Sequence, residues 1–302
     1  YKKTSDLILE KMNAKFKSST SSSVDWLQNS NMTSRYGNDL WNGSSGNPYR
    51  PATLSVIIYD YKKNQTNSLL KHFSKELPNE YLLAPSEVGM DRFIDPEFNN
   101  LGTVAADNRA GATFSRSSAG SYIRKYRATD ARPAYKDDTP IYIYRSTELY
   151  FFLAEALNNQ GRFEEASALI NRGVNNAFPK GGVTWEGFTD DWTSASSLGN
   201  RTYPDLGIRG CHNLGVREFK LAVTDEISLE EAIKFNDFAI MDEMFLEFPC
   251  EGKNYPAMVR AALRHGDFSH MAGRISEKYD NPEEIKAKIE AGGYFIKWDL
   301  TK

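Results

Sequence analysis

Residues Tyr144 to Leu157, read together with Gly161 and Ala166, constrain the fold more than any other stretch of the chain. Leu149, Phe152, Leu153, Ala156 and Leu157 recur at helical intervals and predict one apolar stripe. Gly161 stops that helix, because glycine enters the left-handed conformation without a Cβ penalty. Phe163, Ala166, Leu169, Ile170 and Gly173 restart the stripe, so residues 146–175 predict an antiparallel helix hairpin. Small residues stand where the two helices must approach closely: Ala154 on the first, Ala166 and Gly173 on the second.

Small, bulky, glycine, small, bulky and small residues at 154, 157, 161, 166, 170 and 173 match the tetratricopeptide pattern. An ordinary hairpin in an all-α core is the alternative. Ser228-Leu229-Glu230-Glu231 is a capping box that opens a long helix through Ile233, Ile240, Met244 and Phe248, which Pro249 ends or kinks. With a shorter helix near 256–264, residues 228–264 form a second, degenerate repeat. Helices are also expected over 1–17, 66–77 and from Asn281-Pro282 to Glu290, with an apolar tail, 294–298, packing back. Short strands are expected at 54–59, 122–126 and 141–144, and extended segments and turns over 85–120. Residues 18–23, 28–53 and 179–227 read as loops, the last two long and rich in Gly, Pro and aromatic residues. The expected fold is mainly α: tetratricopeptide-like helix pairs in an α-α superhelix, with long loop-rich insertions and a few short strands. One domain is expected over 1–302, loop-rich over 1–140 and helical over 141–302.

Composition removes several function classes. The net charge is -3 and no long basic run appears, so there is no electrostatic footprint for nucleic acid. No segment reaches the roughly 18 to 20 apolar residues of a membrane span. The aromatic share, 13%, is high for a helical repeat protein and leaves rings for either the core or ligand stacking. Cys211 and Cys250 could pair, although Cys250, in an apolar helical stretch, reads as a small buried residue. His72, His212, His265 and His270 are scattered; no nucleophile elbow, phosphate loop or dinucleotide fingerprint is present.

Two blocks resemble the SusD/RagB family, the starch-utilisation type of surface glycan-binding lipoproteins of Bacteroidetes. The first is Arg145-Ser-Thr-Glu148-Leu149-Tyr150 with Ala154, Glu155, Ala156, Gly161, Ala166, Asn171 and Arg172. The second runs from Glu243 through Glu247, Glu251-Gly252-Lys253 and Met258-Val259-Arg260 to Gly266. This block departs from the family at Met244, Asn254 and Ala257, where arginine, arginine and aspartate are usual. The resemblance implies a protein without catalytic activity or cofactor, on the outer face of the outer membrane, anchored through an N-terminal lipidated cysteine. It implies an oligosaccharide ligand, in some members a peptide, passed to a SusC-like TonB-dependent transporter. Neither the signal nor the lipidated cysteine occurs in this sequence, so the chain is expected to be the C-terminal portion of such a protein.

Glu243, Glu247 and Glu251 fall at i, i+4 and i+8 and are expected on one helical face. Three acids on one face suit a metal or general acid/base chemistry, or ion pairs and hydrogen bonds with Arg260, Arg264 and backbone donors after the kink. A glycan site needs exposed rings for sugar CH faces and planar polar groups for hydroxyls. Tyr36, Trp41, Asn42, Tyr49 and Arg50, with Asn38 and Asp39, supply both in one loop. Trp185 and Trp192, with Asp190 and Asp191, form a second candidate. The same rings could instead anchor their loops to the core. Besides the glycan binder, a tetratricopeptide scaffold for peptides and a glycan-processing enzyme are the remaining function classes.

Overall fold

The computed structural model describes residues 1–18, 53–73, 82–93, 107, 109–115, 120–126, 138–173, 207–211, 219–221 and 227–293. Eleven α-helices and four short strands lie among these residues, so the protein is mainly helical. In chain order they are α1 (Lys2–Ser18), β1 (Thr53–Ile57), α2 (Leu69–Phe73), α3 (Glu87–Asp91), α4 (Arg109–Thr113), β2 (Phe114–Ser115), β3 (Tyr122–Ile123) and β4 (Ile141–Arg145). The C-terminal part holds α5 (Ser146–Asn158), α6 (Phe163–Arg172), α7 (Gly207–Cys211), α8 (Leu229–Glu247), α9 (Asn254–His265), α10 (Ser269–Ser276) and α11 (Pro282–Glu290).

The core is built around α5, which packs against α1, α6, α7 and α8. Its burial is wider than the expected stripe. Tyr150, Phe151, Leu153, Ala154 and Leu157 are fully buried, whereas Leu149 and Phe152 are only half-buried. A helix enclosed on nearly every side needs no single apolar face. The hairpin turn forms as expected, with Gly161 at φ 73°. Below it, Phe151 meets the ring of Phe248 edge-on at 5.6 Å.

β1 and β4 pair antiparallel, with Ile57 opposite Ile141 and Val56 opposite Tyr142. Ser55 then faces Tyr144, and Thr53 faces Arg145, so each strand carries one extra residue. The bulge leaves both Ile143 and Tyr144 exposed and turns Arg145 inward, where it is completely buried. β4 passes directly into α5, and Glu148 accepts a hydrogen bond from Arg145 N at 2.9 Å across the junction.

Several expectations change. The stretch 85–120, expected to be extended, contains α3 and α4, capped by Ser86 and Asp107 side chains that accept from Gly89 N and Arg109 N. Residues 207–211, read as loop, form α7. There Gly207 is obligatory: a Cβ would lie 2.4 Å from Gly173 N. The helix α10 was not foreseen. The long helix ends at Glu247 as Pro249 requires, and its Ser228–Glu231 capping box forms. The tail 294–298 and residues 74–77 lie outside the described residues.

Candidate functional site

Tyr36, Asn38, Asp39, Trp41, Asn42, Tyr49 and Arg50 lie outside the described residues, as do Trp185, Asp190, Asp191 and Trp192. The described chemistry centres instead on the acidic face of α8, where the three glutamates meet a set of cations.

Glu243 accepts from Arg109 Nη2 at 2.8 Å and from Arg209 Nη1 at 2.8 Å. Asp107 holds the same Arg109 from the other side, at 3.0 Å to Nε and 2.6 Å to Nη2. Glu247 pairs with Arg145 Nη1 at 3.0 Å. Glu251 takes Arg145 in a fork, 2.8 Å from Nε and 2.9 Å from Nη2, and also accepts from Lys125 Nζ at 2.6 Å. Arg145 further lies over the Phe248 ring, 4.7 Å from its centroid. Four carboxylates, Asp107, Glu243, Glu247 and Glu251, therefore face four cations, Arg109, Lys125, Arg145 and Arg209.

Two expectations are corrected here. Glu251 does not continue the helical face. Phe248 to Glu251 form a tight turn, with Pro249 second, Cys250 third at φ 63°, and Glu251 N donating to Phe248 O at 3.2 Å. That turn folds the Glu251 carboxylate back onto the cations of Glu247. Cys250 is consequently exposed at a left-handed position, with a free thiol, not a small buried residue.

Nor do Arg260 and Arg264 serve this face. Arg260 pairs with Glu155, and Arg264 bridges Glu155 at 3.1 Å and Asp237 at 2.6 Å. Asp237 lies six residues before Glu243, hence about 120° away around α8, which gives the two acids separate partners. Asp237 also accepts from Asn158 at 2.8 Å, Asn159 at 3.0 Å and His265 Nε2 at 2.8 Å. The two blocks are also tied by Glu148 to Lys253 at 3.2 Å, and by Glu155 to both Arg260 and Arg264.

Burial and pairing compete in the protonation of this cluster. Burial opposes the Arg109 charge, but Asp107 and Glu243 outweigh it and raise its pKa well above the ordinary value. For Lys125 burial wins over Glu251, and the pKa falls. Burial likewise lifts the Glu148 pKa, despite the Arg145 amide and Lys253. With every glutamate of the face held by a guanidinium or ammonium, the arrangement positions chain segments; no carboxylate pair in it is left to face a substrate. No group of three His, Cys, Asp or Glu among the described residues could hold a metal ion.

Sequence reasoning missed Asp107, Arg109, Lys125, Arg209 and Asp237. One signal was present: α8 carries six acidic residues against the single base Lys234, so its partners must come from other segments. No family model, curated protein or solved structure matches the chain. Among the described residues no helix is long and apolar enough to cross a membrane.

Proposed function

We propose that the protein is a SusD/RagB-type binder of oligosaccharide nutrients at the outer face of the outer membrane. In this reading it is non-catalytic, is anchored by an upstream lipidated cysteine, and delivers its ligand to a SusC-like TonB-dependent transporter. One observation carries the reading. The two sequence blocks on which the resemblance rests, though roughly 100 residues apart, are joined by buried pairs: Arg145 with Glu247 and Glu251, Glu148 with Lys253, Glu155 with Arg260. Residues that define the two blocks and also bond each other are what a single scaffold element requires.

The tetratricopeptide-like part of the reading is supported by the two successive hairpins, α5–α6 and α8–α9, whose first helices α5 and α8 pack together. The ligand is then assigned to the aromatic loops, with Trp41 as platform and Tyr36, Asn42, Tyr49 and Arg50 around it, and Trp185 and Trp192 as a second surface. Incubation with a panel of polysaccharides tests this: retention without product release is expected, and Trp41→Ala should abolish it with little change in melting temperature. Released sugar products would make the protein an enzyme. Binding of peptides alone would favour the tetratricopeptide scaffold.

A further inference from the structure

Phe219, Lys220 and Leu221 lie against α6 outside any helix or strand. Asn171 and Ser167 hold them there. The Asn171 amide donates from Nδ2 to Phe219 O and accepts from Phe219 N through Oδ1, each at 2.8 Å. Leu221 N donates to Ser167 Oγ at 3.3 Å. Every hydrogen bond that these three residues make among the described residues runs to one of those two side chains. Burial alternates along the segment. Phe219 is half-buried against the core, Lys220 is exposed, and Leu221 is buried within the core. That is the period of an extended chain.

Ser167 and Asn171 stand four residues apart and share one flank of α6, beside the buried stripe of Phe163, Ala166 and Ile170. One amide therefore meets both the N–H and the C=O of a single residue, as the opposite residue does in a hydrogen-bonded antiparallel pair. Turning the Asn171 amide over would set donor against donor and acceptor against acceptor, so its orientation is fixed. An edge strand captures a peptide by its backbone and leaves side-chain pockets to select the sequence. Asn171 does the same from a helix. The backbone bonds make no demand on sequence, the outward position of Lys220 makes none, and only the places of Phe219 and Leu221 ask for apolar side chains. Three hydrogen bonds and one fully buried side chain are few ties, so the segment belongs to the readily opened part of the fold.

We propose that the Ser167–Asn171 flank of α6 is a docking face for an extended peptide with apolar residues at alternate positions, and that the chain occupies it in cis with Phe219 to Leu221. The proposal is independent of the oligosaccharide reading and uses none of the rings assigned to the glycan. Fluorescence anisotropy of a labelled peptide with the sequence of residues 216–223, titrated with the full chain, tests it. The cis segment competes at an effective concentration of about a millimolar, so Leu221→Gly in the chain should tighten peptide binding at least about tenfold. Adding Asn171→Ala should reverse most of that gain, and the peptide carrying Leu221→Asp should not bind. Circular dichroism marks each variant as folded, and Phe219→Gly replaces Leu221→Gly if that chain loses its helical signal. In the unaltered chain a large excess of peptide should speed hydrogen exchange at the Phe219 and Leu221 amides, released from Asn171 and Ser167. No binding to a folded chain with the weakened segment, binding that Asn171→Ala leaves intact, or exchange that excess peptide does not change would each overturn the proposal.

Discussion

The ion pairs on α8 and beside it use the same chemistry at different depths. On one face Arg145, Glu247 and Glu251 are almost wholly removed from water, their side chains no more than 2% exposed. Away from that face, Arg260 of α9 reaches Glu155 of α5 with 39% of its side chain exposed, and Arg274 reaches Asp242 of α8 at 29%. In water a formed ion pair is weakly favourable, because solvent already serves both charges. Away from water the pair adds little over apolar packing, but breaking it leaves a charge with nothing around it. Depth therefore decides whether such a pair adjusts stability or is a condition of folding.

The largest test of that contrast is Arg145→Ala against Arg260→Ala. The first should cost about 3–5 kcal/mol in urea denaturation, enough to unfold a marginal domain, and the second under about 1 kcal/mol. Similar losses would erase the distinction. Next comes Asp237→Asn. Asp237 lies at 1% exposure, with Asn158, Asn159, Arg264 and His265 all bonded to it. Loss of its charge should cost about 1–3 kcal/mol by thermal melting, since the amide cannot accept from all four. Cys250→Gly should act in the opposite direction, gaining up to about 1 kcal/mol, because glycine relieves the left-handed strain in the turn that delivers Glu251. A loss there would mean the Cys250 side chain contributes packing that its exposure does not suggest.

The smallest effect is in pH, and its sign differs between the two depths. Asp242 accepts from His270 and Arg274, and these bonds overcome partial burial and lower its pKa below 3.8. Its stabilisation is present above pH 3.8 and is lost as pH falls through the folded value. Glu148 has its pKa raised above 4.5 by burial, so its charge opposes folding above the folded value, and that penalty fades as pH falls toward 4.5. Asp242→Asn should flatten the stability curve below pH 4, while Glu148→Gln should remove a rise in stability just above pH 4.5. Melting temperatures across pH 3–7 separate the two.

The sequence carried the long elements because length gives periodicity something to repeat. The α5–α6 hairpin, the Ser228 capping box and the Pro249 stop were legible for that reason. The five-residue helices α3, α4 and α7 are shorter than two turns and display no period, and α7 has glycines at 207 and 210 that read as breakers. α10 has Phe268 at its N-cap, which offers no side-chain acceptor (Asp267, one residue earlier, serves Ser269 N instead), and it contains Gly273, so both of its helix signals are weak. The acids of the cluster were visible as a set, but their partners were not. Arg109, Lys125 and Arg209 come from stretches with little local pattern, and only the tertiary fold decides which cation meets which carboxylate.

A double-mutant cycle on Arg145→Leu and Glu251→Leu, read by urea denaturation, tests most directly whether buried pairing locks the two blocks together. Each single change should be strongly destabilising, and the double mutant should recover at least about 2 kcal/mol of their summed loss. Losses that add to within about 0.5 kcal/mol would mean the two residues do not sense each other, and the lock would not exist.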